Sequence, residues 1–378
     1  MDPVVTAVGI VTPRYPPVSS GGGEQSTKLL AMQLLTQAEI DEVTVFAFDG
    51  TGTTVQNGVT VRRLGRVSPF ITELQNLSVA RKLRGRLAEF DVVHAYNMEL
   101  HPVVGYLSTR EGVPSVGTLN SYHFFPSSVT NTTADGLEWL YERIGLPTTG
   151  RLMRRSMMQI DAFVSLSHAI RDIYVENGFD ADRIEHIPNM VDPEFAVPDG
   201  VETERTQLLY VGSLTENKGV RYLIEALSLL PEQYRLRIVG DGDRMADLQR
   251  RADRGGVADR TTFSGQIPYE QIGQVYADAD LFVHPGIWPE PLNRTVLEAM
   301  QATLPVVCTD IGGPPEVIPD DELLCEPGNP ESLVAAIQRV EELPAGIGKR
   351  NQRYVVDHHS PSVVVPQIVA LYERLTAG

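Results

Sequence analysis

The stretch LFVHPGIWPEPLNRTVLEAM, residues 281–300, contains a strand pattern, a proline-rich loop and a helix pattern in immediate succession. LFVHP (281–285) is apolar and β-rich, while apolar residues in 296–300 recur on one face of a helix. Pro291 suits the first position of a helix, so the sequence predicts a helix over 291–302. A strand followed by a loop and a helix is the repeating unit of a parallel α/β sheet.

The same alternation of β-rich runs and helical patterns continues along the whole chain. The strand candidates are 4–11, 43–48, 92–96, 113–119, 162–167, 207–212, 236–240, 261–265, 281–285 and 305–310. Near-continuous apolar strands separated by helices predict parallel sheets that are covered on both faces. Because the pattern runs twice, we expect an α/β protein with two doubly wound, Rossmann-like domains.

The domain boundary is predicted from a segment that fits no regular element. HIPNMVDPEFAVPDGVETERT (186–206) is rich in proline and acidic residues and indicates a linker. We therefore predict an N-terminal domain over 1–187 and a C-terminal domain over 188–361. The amphipathic tail, 362–378, is expected to form a helix that packs back on the first domain.

Composition and charge exclude several classes of protein. The 378 residues carry a net charge of −17, which argues against a nucleic-acid binder, since such proteins need a basic face. No apolar run reaches the ~18–20 residues of a membrane span. The start of the chain is interpreted as a first strand instead of a signal peptide, and with only two cysteines we expect a cytoplasmic protein.

The basic residues are four lysines and 28 arginines, and the acidic residues number 49. An acidic, lysine-poor surface is typical of proteins from salt-loving archaea, because at ~1 M salt a Debye length of ~3 Å screens its self-repulsion. The alternative is an ordinary acidic mesophilic protein.

Polar and glycine residues follow nearly every predicted strand. In open parallel sheets ligands bind at the carboxyl ends of the strands, so these positions predict a cleft lined by loops from both domains. They are Gly21–Glu24, Asn120–His123, Ser167, Gly212–Leu214, Lys218, Gly240–Gly242, Gln266, Glu290 and Gly312–Gly313.

Two glutamates in the opening stretch are the sharpest candidates for a site. Pro289 and Pro291 bracket Glu290, and a residue before proline is pushed out of helical conformation, so Glu290 is predicted in a stiff loop. Glu298 lies further along the predicted helix, about 10 Å away at ~1.5 Å per residue. This separation lets one carboxylate bind sugar hydroxyls and the other the ribose of a nucleotide. The free N–H groups at the start of the helix suit a diphosphate.

These motifs resemble the retaining glycosyltransferases of family 4, which have the GT-B fold of two Rossmann-like domains facing across a cleft. The stretches that carry the resemblance are VGSLTENKGVRYLIEAL (211–227), LRIVGDG (236–242), FSGQI (263–267), PEPLNRTVLEAM (289–300), PVVCTDIGGPPEVI (305–318) and, more loosely, GGGE (21–24), DVVHAYN (91–97), VSLSHAIRD (164–172) and IPNMVDPEF (187–195).

The resemblance implies a role for each matching residue. Glu290 binds the donor sugar, Glu298 binds the ribose, and Lys218 neutralises the diphosphate. The other implied donor contacts are made by Gly22, Gly23, Gln266, Ile267, Leu292, Asn293 and Arg294. The family retains anomeric configuration, and its leaving diphosphate is thought to deprotonate the acceptor. Neither a metal nor another cofactor is implied; the nucleotide-sugar is a substrate.

This sequence departs from the family pattern at three positions. Ser213 stands where the family usually has an arginine, and Arg294 is the candidate to replace that charge. Asn293 replaces a glycine and tolerates positive φ. Asn120 replaces the histidine expected near the acceptor, and His123, three residues on, either takes its place or caps backbone groups of its loop.

A basic segment, residues 62–86, carries seven positive charges and one glutamate. Its position in the acceptor-side domain suggests binding of an anionic acceptor or of lipid headgroups at the inner membrane face. The alternative is pairing with carboxylates of the same chain.

The sequence as a whole favours a nucleotide-sugar-dependent, retaining hexosyltransferase acting on a hydroxyl of a glycan or a lipid-linked acceptor. Two alternatives remain: a nucleotide-sugar epimerase of the same fold, and a catalytically degenerate protein that binds a glycan or a sister enzyme. A donor-only assay separates the epimerase from the transferase, because only the epimerase needs no acceptor.

Overall fold

The computed structural model describes residues 5–19, 21–67, 71–130, 136–198, 206–343 and 346–377, apart from the side chains of 137 and 138. The chain divides into two units, Met1–Met190 with Pro361–Gly378 (unit 1) and Val191–Ser360 (unit 2). The sequence placed the divisions between 187 and 188 and between 361 and 362. Each unit is built around its own sheet.

Unit 1 contains an eight-stranded sheet in the order β3-β4-β2-β1-β5-β6-β7-β8. The strands are β1 Ala7–Val11, β2 Glu42–Ala47, β3 Thr51–Gln56, β4 Val59–Leu64, β5 Val92–Ala95, β6 Ser115–Leu119, β7 Ala162–Ser165 and β8 Ile184–His186. All neighbouring pairs are parallel except β3 and β4, which form an antiparallel hairpin at one edge.

The helices of this part of the chain are α1 Gly22–Leu34, α2 Thr72–Leu83, α3 His101–Glu111, α4 Gly136–Leu140, α5 Arg151–Met157 and α6 His168–Glu176, and a π-helical stretch, Tyr141–Gly150, joins α4 to α5. A buried apolar cluster lies where α2 and α3 cover the sheet, and it includes Phe46, Val79, Leu83, Phe90 and Val104. Phe46 and Phe90 meet edge to face with their ring centroids 5.6 Å apart. Burial of each such side chain contributes ~1.5–3 kcal/mol.

Unit 2 contains a six-stranded, all-parallel sheet in the order β11-β10-β9-β12-β13-β14. Its strands are β9 Thr206–Val211, β10 Tyr234–Val239, β11 Thr261–Phe263, β12 Leu281–His284, β13 Val306–Thr309 and β14 Leu324–Cys325. Its helices are α7 Val220–Leu229, α8 Met245–Arg254, α9 Tyr269–Ala277, α10 Arg294–Gln301, α11 Pro330–Arg339 and α12 Ile347–His359. The prediction of two parallel α/β sheets is confirmed.

The final helix, α13 (Pro361–Thr376), packs on unit 1 through a buried face that includes Val364, Ile368 and Tyr372. The hydroxyl of Tyr372 lies 2.6 Å from Nδ1 of His94, a residue on β5 that is 1% exposed. Within the described residues, no helix combines the length and apolar character that crossing a membrane requires.

Candidate active site

Glu290 lies in the loop that follows β12, and the backbone around it is tightly held. Its N–H donates to the Trp288 carbonyl at 2.8 Å, and its own carbonyl accepts from Gly313 N at 2.7 Å. Gly312 has a φ of +76°, and a Cβ at that position would lie 2.5 Å from the Glu290 nitrogen. Glycine is therefore required there, and the loop after β13 fixes the position of Glu290.

The carboxylate of Glu290 forms a close, two-point contact with Lys218. Nζ of Lys218 lies 2.7 Å from Oε1 and 2.6 Å from Oε2, and the indole N–H of Trp288 also donates to Oε2. The two side chains are only 14% and 13% exposed. Burial alone would raise the pKa of Glu290, but Lys218, His284 and these hydrogen bonds hold the pKa below its usual range. Glu290 is thus a carboxylate at neutral pH, and Lys218 its counter-charge.

Lys218 is positioned by the residue that follows it. Gly219 has a φ of +67°, and a Cβ there would lie 1.9 Å from the carbonyl oxygen of Pro285. The close approach of these two backbones brings the loop after β9 against the loop after β12. The sequence pair Lys-Gly at 218–219 therefore has a structural reason.

His284, the last residue of β12, is a member of this site that the sequence analysis did not identify. It is 2% exposed, and burial lowers its pKa to about 4, so the imidazole is neutral at pH 7. Asn293 Nδ2 lies 3.3 Å from its Nδ1. The signal in the sequence was a histidine at the carboxyl end of an apolar strand, which sequence alone does not distinguish from a core histidine.

Helix α10 begins at Arg294, so the prediction that it begins at Pro291 is wrong. Asn293 caps the helix, since its Oδ1 accepts from the N–H and hydroxyl of Thr295 at 3.0 and 2.8 Å. Asn293 has a φ of −77°, so the tolerance of asparagine for positive φ is not used here. Leu292 is buried and precedes the cap. The estimate of the Glu290–Glu298 separation along one continuous helix does not hold, because the chain between 290 and 294 is a loop.

Glu298 belongs to a buried polar network within unit 2. Its Oε1 lies 2.8 Å from Nε of Arg294, and its Oε2 accepts from the hydroxyl of Tyr276 at 3.0 Å. Arg294 also donates to the hydroxyl of Tyr269 at 2.9 Å. Burial raises the pKa of Glu298, and its partners offset only part of that shift. Arg294 is 8% exposed and is already paired with Glu298. It is therefore a poor candidate to replace the phosphate-binding arginine that the family has at the position of Ser213.

The remaining predicted donor residues of unit 2 follow strands, as expected. Ser213 is exposed after β9, and its carbonyl accepts from the Tyr210 hydroxyl at 2.8 Å. Gln266 is exposed and Ile267 is half-buried, both shortly after β11. Lys218, Glu290 and His284 are brought together, whereas Glu298 has partners of its own.

In unit 1, Gly22 and Gly23 are the first two residues of α1 instead of a loop. Apart from the adjacent residues and the backbone of α1 itself, no atom of the described residues lies within 4 Å of a Cβ built on Gly22, and one built on Gly23 would lie 3.1 Å from Nδ2 of Asn97. The first N–H groups of a helix have no partner inside it and attract anions. Glu24, in the same turn, is paired with Arg14 at 3.0 Å.

Asn120 is bound to the backbone of the neighbouring loop. Its Nδ2 donates to the Tyr96 carbonyl at 2.8 Å, and its Oδ1 accepts from Met98 N at 3.3 Å. The amide thereby ties the end of β6 to the end of β5. Its side chain therefore holds these two loops together.

His123 is more available than Asn120. Its side chain is 37% exposed, and its Nε2 lies 4.0 Å from the Glu99 carboxylate. Nδ1 is buried and has no hydrogen-bond partner among the described residues, so only the rest of the ring is accessible. Burial lowers the pKa of His123, and Glu99 opposes that shift. The next residue, Phe124, has a φ of +67°, a conformation that is costly outside glycine and is often found at functional sites.

Most basic residues of the segment 62–86 are engaged within unit 1, but only Arg62 and Arg63 pair with carboxylates as the pairing alternative expects. Arg63 pairs with the carboxylate of Asp49, and Arg62 pairs with Glu89 at 2.7 Å. Lys82 donates to the Leu64 carbonyl at 2.8 Å. Arg66 and Arg86 also donate to backbone carbonyls.

Comparison with known proteins finds family matches in both parts of the chain. Residues 20–195 match the model described as Glycosyltransferase Family 4, and residues 192–355 match the model described as Glycosyl transferases group 1. An uncharacterized glycosyltransferase of Methanocaldococcus jannaschii is 27% identical over 352 residues, which cover 88% of each protein.

Solved structures show the same fold. Sucrose-phosphate synthase from Thermosynechococcus elongatus superposes with a TM-score of 0.81 at 20% identity, covering 98% of this chain and 99% of that one. HepE of Anabaena, in complex with UDP-glucose, gives a TM-score of 0.75 at 19% identity, covering 97% of this chain and 99% of that one. These likenesses assign the GT-B fold.

Proposed function

Both halves of this chain match glycosyltransferase families, and from that premise we propose that it transfers a hexose from a nucleotide-sugar donor to a hydroxyl of a glycan or lipid-linked acceptor, with retention of configuration. The matches themselves support a glycosyltransferase of the GT-B type. The complex of HepE with UDP-glucose supports a nucleotide-sugar donor for this chain.

The observation that carries the proposal is the buried Glu290–Lys218 pair beside neutral His284. An ionised carboxylate accepts hydrogen bonds from sugar hydroxyls, and an ammonium group stabilises the charge that develops on a departing diphosphate. Lys218 has three donors, of which two are directed at Glu290. The third remains for a phosphate oxygen.

In the proposed reaction the protein positions the substrates and stabilises the charge of the leaving group. The glycosidic bond to the diphosphate breaks, the acceptor oxygen forms a bond on the same face of the sugar, and the leaving diphosphate takes the acceptor proton. Lys218 and the amides near Asn293 stabilise the diphosphate, and Glu290 orients the sugar. We assign the ribose hydroxyls to Glu298 and the backbone near Gln266 and Ile267 to the base.

On the acceptor side, we assign His123 instead of Asn120. Both polar atoms of the Asn120 amide are bound to backbone, while the His123 side chain is 37% exposed. A neutral imidazole can accept or donate one hydrogen bond to an acceptor hydroxyl without carrying charge.

A screen of nucleotide-sugars tests the proposal. The chain is incubated with each donor, with and without glycan and lipid-linked acceptors, and nucleoside diphosphate release is measured. We expect acceptor-dependent release, and NMR of the product should show the donor's anomeric configuration. Inversion would contradict the retaining mechanism.

Two other results would redirect the proposal. Acceptor-independent release of nucleotide with an altered sugar would indicate an epimerase. Saturable donor binding without turnover on any acceptor would indicate the degenerate binding partner, which is favoured by Ser213 and Asn120 at positions where the family has an arginine and a histidine.

A further inference from the structure

A cavity of about 280 Å³, open to solvent, lies between α2 and α3 at the surface of unit 1, outside the candidate active site. Four of its lining residues, Arg81, Arg84, Tyr106 and Arg110, are exposed. Its lining consists of Ala80, Arg81, Arg84, Tyr106, Leu107 and Arg110. It is much larger than the ~30 Å³ that one water occupies. Three of its six lining residues are arginines, in a chain with a net charge of −17.

Among the described residues, these three arginines form no ion pair with a carboxylate, unlike Arg62 and Arg63 of the same segment. Arg110 reaches only the hydroxyl of Tyr106, at 3.5 Å. The nearest acidic side chain on α3, Glu111, is occupied, because its two oxygens accept from the backbone N–H groups of Gly85 and Leu87. The cavity therefore carries three positive charges, and the Glu111 carboxylate beside it forms no ion pair with them.

The position of the cavity separates it from the predicted chemistry. Arg81 lies in the last turn of α2, and Arg110 lies in the last turn of α3. These helix ends lead into β5 and β6, so the cavity is at the amino ends of those strands. The ligand-binding residues of a parallel sheet lie at the carboxyl ends.

Helix geometry explains part of this arrangement but not all of it. The negative end of the helix dipole favours a basic residue in each last turn. It does not require arginines from two helices to converge on one cavity, where like charges repel each other. Guanidinium groups bind phosphate oxygens in a two-point geometry that ammonium groups cannot match.

We propose that this cavity binds a phosphate group, held by Arg81, Arg84 and Arg110. The phosphate belongs either to an anionic lipid headgroup or to a soluble phosphorylated compound. This proposal does not depend on the proposed function, because the residues that carry it are not those assigned to the donor or the acceptor.

The test compares two charge-matched double variants. Arg81→Gln with Arg110→Gln removes one arginine from each helix. Arg254→Gln with Arg353→Gln, at exposed positions of unit 2, removes the same charge elsewhere. Each protein is titrated with inorganic pyrophosphate by calorimetry and is sedimented with vesicles of phosphatidylcholine, with and without phosphatidylglycerol, at low salt.

We expect the control variant to behave like the wild type and the cavity variant to lose about tenfold or more in affinity for at least one probe. Loss confined to phosphatidylglycerol vesicles assigns the site to a lipid headgroup, and loss of pyrophosphate binding assigns it to a soluble ligand. Binding that survives in the cavity variant belongs to another site. Equal affinities in the two variants, or no binding of either probe by the wild type, would overturn the proposal.

Discussion

At the scale of single residues, the two glutamates that the sequence singled out have opposite electrostatic settings. Glu290 is stabilised as a carboxylate by Lys218, whereas burial raises the pKa of Glu298 despite Arg294. The sequence predicted that both residues matter, because proline bracketing and spacing are visible in it. It did not predict their partners, since Lys218 is 72 positions from Glu290 and only the fold brings them together.

Glu298→Ala should destabilise unit 2, because it leaves the Arg294 guanidinium buried without its counter-charge. We expect a loss of ~3–5 kcal/mol in the free energy of unfolding, measured in urea. Arg294→Met combined with Glu298→Met removes both charges and should recover most of it. If the single variant were as stable as wild type, the ion pair would have no structural role.

Three buried histidines should make stability fall in acid. The pKa of His94 and of His101 is lowered to about 3, and that of His284 to about 4, by burial. An unfolded histidine titrates near ~6.5, so between that pH and the folded pKa only the unfolded state takes up the proton. Stability is therefore full above pH ~6.5 and is lost as the pH falls, by up to ~1.4 kcal/mol per pH unit for each group.

Replacement of His94 by Gln should reduce this pH dependence in unit 1, and replacement of the exposed His358 should not. Urea midpoints between pH 7 and 5 measure the difference. A wild-type midpoint that rises on acidification would contradict the assignment of neutral, buried imidazoles.

At the scale of elements, periodicity predicted most of the parallel strands but missed the β3–β4 hairpin. Strands β3 and β4 are joined by Asn57 and Gly58, with φ of 49° and 83°, which is the backbone of a tight two-residue turn. The Asn-Gly signal was present, but β3 is polar and exposed along its length and so lacks the apolar pattern of a buried strand. Strands β8 and β14 were also missed, because each is only two or three residues long.

The start of α10 shows a second limit of sequence patterns. Pro291 fits a first helical position, yet the side chain of Asn293 caps the helix two residues later. The sequence contains two signals for a helix start, Pro291 and Asn293, only two residues apart. The structure shows that the helix begins after Asn293, because the chain up to that residue belongs to the Glu290 loop.

Helix α13 should depend on the contact between Tyr372 and His94. Tyr372→Phe leaves Nδ1 of a fully buried imidazole without its partner, which should cost ~1–3 kcal/mol in the unfolding of unit 1. Tyr106→Phe, at a tyrosine that is 46% exposed, is the control and should change little. A similar small effect in both variants would show that apolar packing alone holds the helix.

At the scale of the whole molecule, the sequence gives the net charge but does not predict which charged side chains pair with each other. The net charge of −17 is fixed by composition, but whether a basic segment is paired depends on the fold. Arg63 is paired with Asp49, whereas Arg81 and Arg84 have no such partner among the described residues. From the sequence, these residues were predicted to form one basic surface. Within the part of the chain that the structure describes, some are paired and others are not.

The acidic surface predicts that stability rises with salt. Self-repulsion at −17 should be screened as the Debye length falls from ~10 Å near 0.1 M to ~3 Å near 1 M salt. We expect the urea midpoint to be clearly higher at ~2 M than at ~0.1 M KCl. A neutral osmolyte at matched osmolarity is the control, and an equal effect of both, or none, would remove the halophilic interpretation.

The most direct measurement pairs turnover with nucleotide binding in Glu290→Gln, using the donor that the wild type accepts. We predict that turnover falls by ~10²–10³, because the ionised carboxylate orients the sugar in the transition state. Affinity for the bare nucleoside diphosphate, measured by calorimetry, should be unchanged or higher, because the ammonium group of Lys218 then has no negatively charged partner competing with the phosphates. Wild-type turnover in this variant, or loss of nucleotide affinity equal to the loss of turnover, would contradict the assignment of Glu290 to the donor sugar.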